Sequence, residues 1–191
     1  MPRRSLRLIS LTPDSLPAFS PPSQCFASAA ASISNPLAPV SKKEADERER
    51  EELVTRFFAY ADGLNGYRDR PSEFLFNYVK TMNLKVEQNP GLIDQYRQRF
   101  ISTMTFVQEV FPHGFRRKPK GIATPRARFE AIAVGSRQAL DVNPRLTQTD
   151  VPDVLAWLDG KEFSNVVGSD GANAIFRLRQ RIKFVLERLL S

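Results

Sequence analysis

Apolar positions recur at the α-helical period along most of this chain. Between Glu44 and about Ala61, Leu53, Val54, Phe57, Phe58 and Ala61 follow one another at i, i+1, i+4, i+5 and i+8. That spacing lays one stripe along a 3.6-residue helix. Acids crowd the first turns (Glu44, Asp46, Glu47), where the positive end of the helix dipole favours them. Gly63, Asn65 and Gly66 predict its end. A second helix is predicted from the Pro71-Ser72 start, with Ser72 as the cap and Phe74, Leu75, Tyr78, Val79 and Met82 on one face. Asn89-Pro90-Gly91 breaks it. A third runs to Phe111 with Ile93, Tyr96, Phe100, Met104, Val107 and Phe111 inward.

The second half continues the pattern. Thr124 reads as an N-cap with Pro125 at the first helical position, opening a helix that buries Phe129, Ile132, Ala133 and Leu140. Arg126, Glu130 and Arg137 share its other face, and Asn143-Pro144 closes it. Asp150 opens a short fifth helix with Val151, Val154, Leu155 and Leu158, ended by Gly160. Ser169 or Asp170 caps the last, whose stripe is Ile175, Leu178, Ile182, Val185 and Leu189 and whose opposite face is Arg177, Arg181, Lys183 and Arg188. No segment alternates with period 2. The expected fold is all-α, about six helices in an irregular bundle spanning residues 42–191.

Residues 1–41 break the pattern. Seven of the fourteen prolines lie there among many Ser and Ala, with little apolar surface to offset ordering entropy, so a disordered tail is expected. Arg3, Arg4 and Arg7 against the single acid Asp14 faintly resemble a transit peptide, and no clean apolar core precedes Ala27-Ser28-Ala29. A misassigned start or truncated reading frame gives the same composition and is the favoured reading. No apolar run is long enough for a transmembrane helix. A cytoplasmic protein without a membrane association is expected.

Charge then singles out one stretch. From Gln95 to Arg145 there are ten Lys/Arg against three Asp/Glu, a surplus of +7 that equals the net charge of the whole chain. Charge-dependent binding belongs here, and a pI near 9.9 favours a polyanionic partner. The candidate residues are Arg116, Arg117, Lys118, Lys120, Arg126 and Arg128, because Arg forks and Lys point charges bind phosphate and a helix N-terminus adds free N–H groups beside the same loop. A solvated basic loop is the plain alternative.

Catalytic chemistry has little to draw on. Cys25 and His113 are single, so disulfides, Cys-based zinc sites and most nucleophile–base pairs are excluded or tied to these two residues. His113 lies in a Pro-His-Gly turn. Asp62, Asp69 and Glu73 lack metal-ligand spacing, and Gly168-Ser169-Asp170-Gly171 lacks a phosphate-loop Lys. Phe57, Phe58 and Phe74 sit on stripes and belong to the core rather than to base stacking. No cofactor and no enzyme activity are expected.

Leu53-Val54-Thr55-Arg56-Phe57-Phe58-Ala59 resembles the Leu-x-x-Arg-Phe-Phe-Ala signature of a known family. Tyr67, Phe74-Leu75, Met82-Asn83, Phe106, Phe111, Phe115-Arg116 and Ala127-Arg128-Phe129-Glu130-Ala131 follow in order. Over about Lys42 to Leu190 the chain is similar to the helical C-terminal half of the N-terminal, ParB/sulfiredoxin-like domain of GmrSD-type restriction endonucleases. The family's Asp-Gly-Gln-Gln-Arg motif and its His-Asn-His-type nuclease residues do not occur here, so no catalytic residue carries over. The resemblance implies a non-catalytic helical piece of a phage-defence, restriction-type protein. Its implied partners are DNA and a ParB-like or nuclease protein. A helical protein-interaction module with an incidental basic surface is the competing expectation.

Overall fold

In the computed structural model, residues 37–39, 49–151, 153–168 and 171–191 are described. The expectation of a tail over 1–41 otherwise lies outside the described residues. The described chain is all-α, with seven α-helices, one 3-10 turn and no strand. The helices are α1 (Glu49–Ala61), α2 (Pro71–Gln88), α3 (Leu92–Val110), α4 (Arg126–Val142), α5 (Val154–Leu158), α6 (Lys161–Val166) and α7 (Ile175–Leu189). The 3-10 turn is Gln148–Asp150.

The long stripes predicted from sequence form the core, while Leu155 of the short fifth helix is exposed. Phe57, Phe58, Phe100, Phe129, Ile132, Leu178 and Val185 are fully enclosed. Each buried side chain of this size contributes roughly 1.5–3 kcal/mol of transfer free energy. Rings meet edge-on or tilted, as their quadrupoles prefer: Phe57 on Phe100 at 5.3 Å, and Phe115 on Phe129 at 4.6 Å between centroids. Trp157 lies against Phe111, Phe163 and Phe184.

Helix α4 is the hub. It packs on α7, α1 and α3, so it is buried nearly all round, from Arg128 to Ser136 without a break. Its closest approach is to α7 at Gly135. A Cβ there would stand 2.8 Å from Val185 Cβ and 3.0 Å from Ile182 O.

Several ends differ from expectation. Thr124 does not cap α4; Pro125 is the N-cap, no side chain caps it, and the Thr124 hydroxyl donates to Pro39 O at 2.9 Å. Asp150 closes the 3-10 turn, α5 begins at Val154, and Lys161–Val166 forms a helix the sequence pattern did not predict. It is too short for a stripe to be read. Ser169 and Asp170 lie outside the described residues, and α7 starts only at Ile175. Its first amide is satisfied from far away: Ile175 N donates to Asp69 Oδ1 at 2.6 Å, with Asp69 held at φ 59°.

Leu37–Pro39 forms a strap across the body. Leu37 and Ala38 are buried, and Phe115 N donates to Leu37 O at 3.2 Å. Gly114, at φ +53°, lets the strap in: a Cβ there would meet Leu37 O at 2.6 Å.

Candidate nucleic-acid interface

The basic loop between α3 and α4 is fixed at its end by the Thr124 hydroxyl on Pro39 O and at its start by Phe115. Phe115 is buried on Phe129, and the strap pairs with the Phe115 amide. Arg116 closes the loop on itself: Nε donates to His113 O at 3.1 Å and Nη1 to Pro119 O at 2.7 Å. Gly121 N donates to Lys118 O at 3.0 Å. The backbone is thereby bent so that Arg117, Lys118 and Lys120 are exposed. None of these three makes an ion pair with a described residue.

The other candidates do different work. Arg126 forks onto Glu49, with Nε–Oε1 at 2.7 Å and Nη2–Oε2 at 2.6 Å, and that charge-assisted pairing raises its pKa. Its charge is therefore largely matched by a carboxylate. Arg128 is only 4% exposed and cannot act as a surface contact. Its guanidinium lies 5.1 Å over the Phe163 ring. Burial brings its pKa down to about 10; Asp159 partly opposes this and Arg117 adds to it. Its Nε and Nη2 find no acceptor among the described residues. The six-residue cluster read from sequence is thus three exposed cations with no ion-pair partner among the described residues, one loop-closing Arg, one paired Arg and one buried Arg.

Two polar clusters lie away from the basic loop, and the first is inside the bundle although the pattern left Glu130 and Arg181 on solvent faces. Glu130 is 2% exposed and sits between two guanidinium groups, Arg56 Nη1 at 2.7 Å and Arg181 Nη2 at 2.5 Å. Arg56 also pairs with Glu52 at 2.6 Å and donates to the Tyr60 hydroxyl, and Arg181 donates to Ala172 O at 2.8 Å. Burial alone would lower the Arg56 pKa, but Tyr60, Glu130 and Glu52 together hold it above the ordinary Arg value. Glu130 and Arg181 had been assigned to the outer faces of α4 and α7. The network ties α1, α4 and α7 together through Arg56, Glu130 and Arg181, one from each helix.

The second cluster centres on Asp62, just past the end of α1. Tyr78 and Tyr96 hydroxyls donate to its Oδ2 at 2.6 and 2.5 Å, and Arg99 pairs with Oδ1. Burial and the adjacent carboxylate raise both tyrosine pKa values, that of Tyr96 to about 12. Asp62 is thereby committed to structure. Asp69 is committed likewise, as the cap of α7, and Glu73 pairs with Arg70 at the surface. Among the described residues no group of three or more His, Cys, Asp or Glu is placed to hold a metal ion. No described helix is long and apolar enough to cross a membrane.

One surface escaped the sequence reading. Phe176, at the start of α7, is 62% exposed beside Arg177, Arg179 and Lys183. The available signal was a large aromatic standing one position off the Ile175–Leu189 stripe. No family profile, no curated protein and no solved structure matches this chain.

Proposed function

We propose that this chain is a non-catalytic helical module that contacts DNA through its phosphates. Arg117, Lys118 and Lys120 are the contacting cations. The observation that carries the reading is their arrangement: three neighbouring exposed cations with no carboxylate partner among the described residues, on a loop braced by Arg116 and Phe115. Unmatched cations held close together gain most from a polyanion, which releases its condensed counterions on contact. The amides in the first turn of α4, uncapped by any side chain, follow on the same loop and suit an anion. The resemblance to the GmrSD-type helical half favours DNA over other polyanions. Such contacts position a duplex without reading its sequence.

The test is salt-dependent binding to duplex DNA by the full chain and by Arg117→Ser/Lys118→Ser/Lys120→Ser. Affinity should fall with a log–log slope of about −0.9 per phosphate neutralised, and the variant should flatten that slope by roughly 2–3 units. Its melting temperature should hardly move, since exposed unpaired charges contribute little to folding. Arg116 is left intact because its loss would loosen the loop itself. An unchanged slope would make the loop ordinary solvated surface and hand the reading to a protein-interaction module. In the same preparations GTP, ATP and DNA should remain unhydrolysed. Turnover abolished by one substitution in this chain would overturn the non-catalytic reading.

A further inference from the structure

A groove of about 600 Å³ runs between α7 and the turn that links α1 to α2. Its apolar lining includes Tyr60 and Leu64 on one side and Phe176, Ile182 and Leu186 on the other. Phe176 is 62% exposed, although Leu178, Ile182, Val185 and Leu189 on the same helix are buried. Leaving so large an aromatic in water forgoes its transfer free energy and is informative when it borders a concave apolar surface.

The rim is cationic. Arg179 and Lys183 line the groove, and Arg177 holds its guanidinium 5.5 Å from the Phe176 ring. Arg179 makes no ion pair with a described residue, and Lys183 meets only Glu187, at 3.4 Å on an exposed surface. An apolar trough edged by Arg179 and by the weakly paired Lys183 is complementary to a helix with an apolar stripe and acidic flanks. A second copy docked groove to groove would bring cations against cations. A duplex would meet the rim and leave the apolar floor unused, and a flat bilayer would not fill a trough.

We propose that this groove docks an acidic amphipathic helix of a partner protein. Its apolar anchors, spaced i, i+3 or i+4, i+7, lie against Phe176, Leu64 and Leu186, and its carboxylates meet Arg179 and Lys183. The surface is separate from the loop cations, so DNA contact and helix docking are independent properties.

The experiment uses the full chain and labelled 18-residue helical peptides, read by fluorescence anisotropy. One carries Leu and Phe at i, i+3, i+4 and i+7 with Glu and Ala elsewhere. A second replaces Glu by Lys, and a third replaces the apolar anchors by Ser. The first peptide should bind, and the other two should not. Phe176→Asp should weaken it by at least about tenfold with an unchanged melting temperature, as expected for an exposed anchor. Arg179→Glu/Lys183→Glu should weaken the Glu peptide and admit the Lys peptide. Arg117→Ser/Lys118→Ser/Lys120→Ser should bind it as the parent does. Absence of binding, or equal binding of the Ser peptide, would overturn the proposal. So would Phe176-dependent dimerisation without peptide binding, which would assign the groove to a second copy. Phe176-dependent binding to phosphatidylserine vesicles without peptide binding would assign it to a membrane surface, with the same result.

Discussion

Glu130 carries more of this fold than its single carboxylate suggests. With Arg56 and Arg181 on either side, all three nearly or fully out of water, it cancels part of a buried double positive charge. Removing it leaves Arg181 with no carboxylate among the described residues and Arg56 with Glu52 alone. Glu130→Ala should therefore cost about 3–5 kcal/mol in chemical denaturation, well beyond an average substitution. Replacing Arg56, Glu130 and Arg181 together by Met, Leu and Met should be neutral or stabilising by about 1–4 kcal/mol, since the desolvation penalty disappears with the charges. A Glu130→Ala cost below about 1 kcal/mol would remove the network from any account of stability. Arg128 shows the opposite case, a buried cation over an aromatic face whose pKa burial lowers and Asp159 only partly restores. None of this was legible in the sequence. Hydrophobic periodicity sorts residues into apolar and polar faces, and it cannot tell a polar face turned to water from one turned to two other helices. Glu130 and Arg181 were placed at the surface for that reason.

At the scale of elements, the apolar stripes were legible because a 3.6-residue period over three or more turns has few competing explanations. The interiors of α1, α2, α3, α4 and α7 follow from them. Helix ends were less legible, because caps here are supplied across the chain. Asp69 serves α7, and Thr124 serves the strap instead of α4. How α4 meets α7 was also hidden: Gly135 reads in sequence as a weak point in a helix, worth about 1 kcal/mol against Ala. In the fold it is the point of closest approach. Gly135→Ala gains helix propensity but drives a Cβ into Val185 and the Ile182 carbonyl. Overpacking of this kind costs about 1–3 kcal/mol, and the loss should win. The melting temperature should drop by several degrees, and adding Val185→Ala should not restore it, because alanine keeps the Cβ that stands 2.8 Å away. A more stable single variant would show that the two helices separate freely.

For the whole molecule, the strap belongs to the folded body. Leu37 and Ala38 are as enclosed as the helical core, and two polar groups of the body, Phe115 N–H and the Thr124 hydroxyl, bond to it. The boundary expected near residue 42 therefore excludes three packed residues. A chain starting at Leu37 should melt close to the full-length protein. One starting at residue 40 should lose roughly 2–4 kcal/mol, from one buried Leu and two polar groups left without partners. Equal melting temperatures would make the strap dispensable. Because the strap abuts Gly114 and Phe115, its loss should also loosen the loop that carries Arg117, Lys118 and Lys120.

The strap also imposes an order of events during synthesis. Pro39 is made 85 positions before Thr124, the residue whose hydroxyl it accepts. At roughly 5–20 residues per second, Leu37 and Ala38 wait on the order of 4–17 s before their seat exists. The corner that presents the loop cations is thus assembled late, after α1, α2 and α3 have left the ribosome.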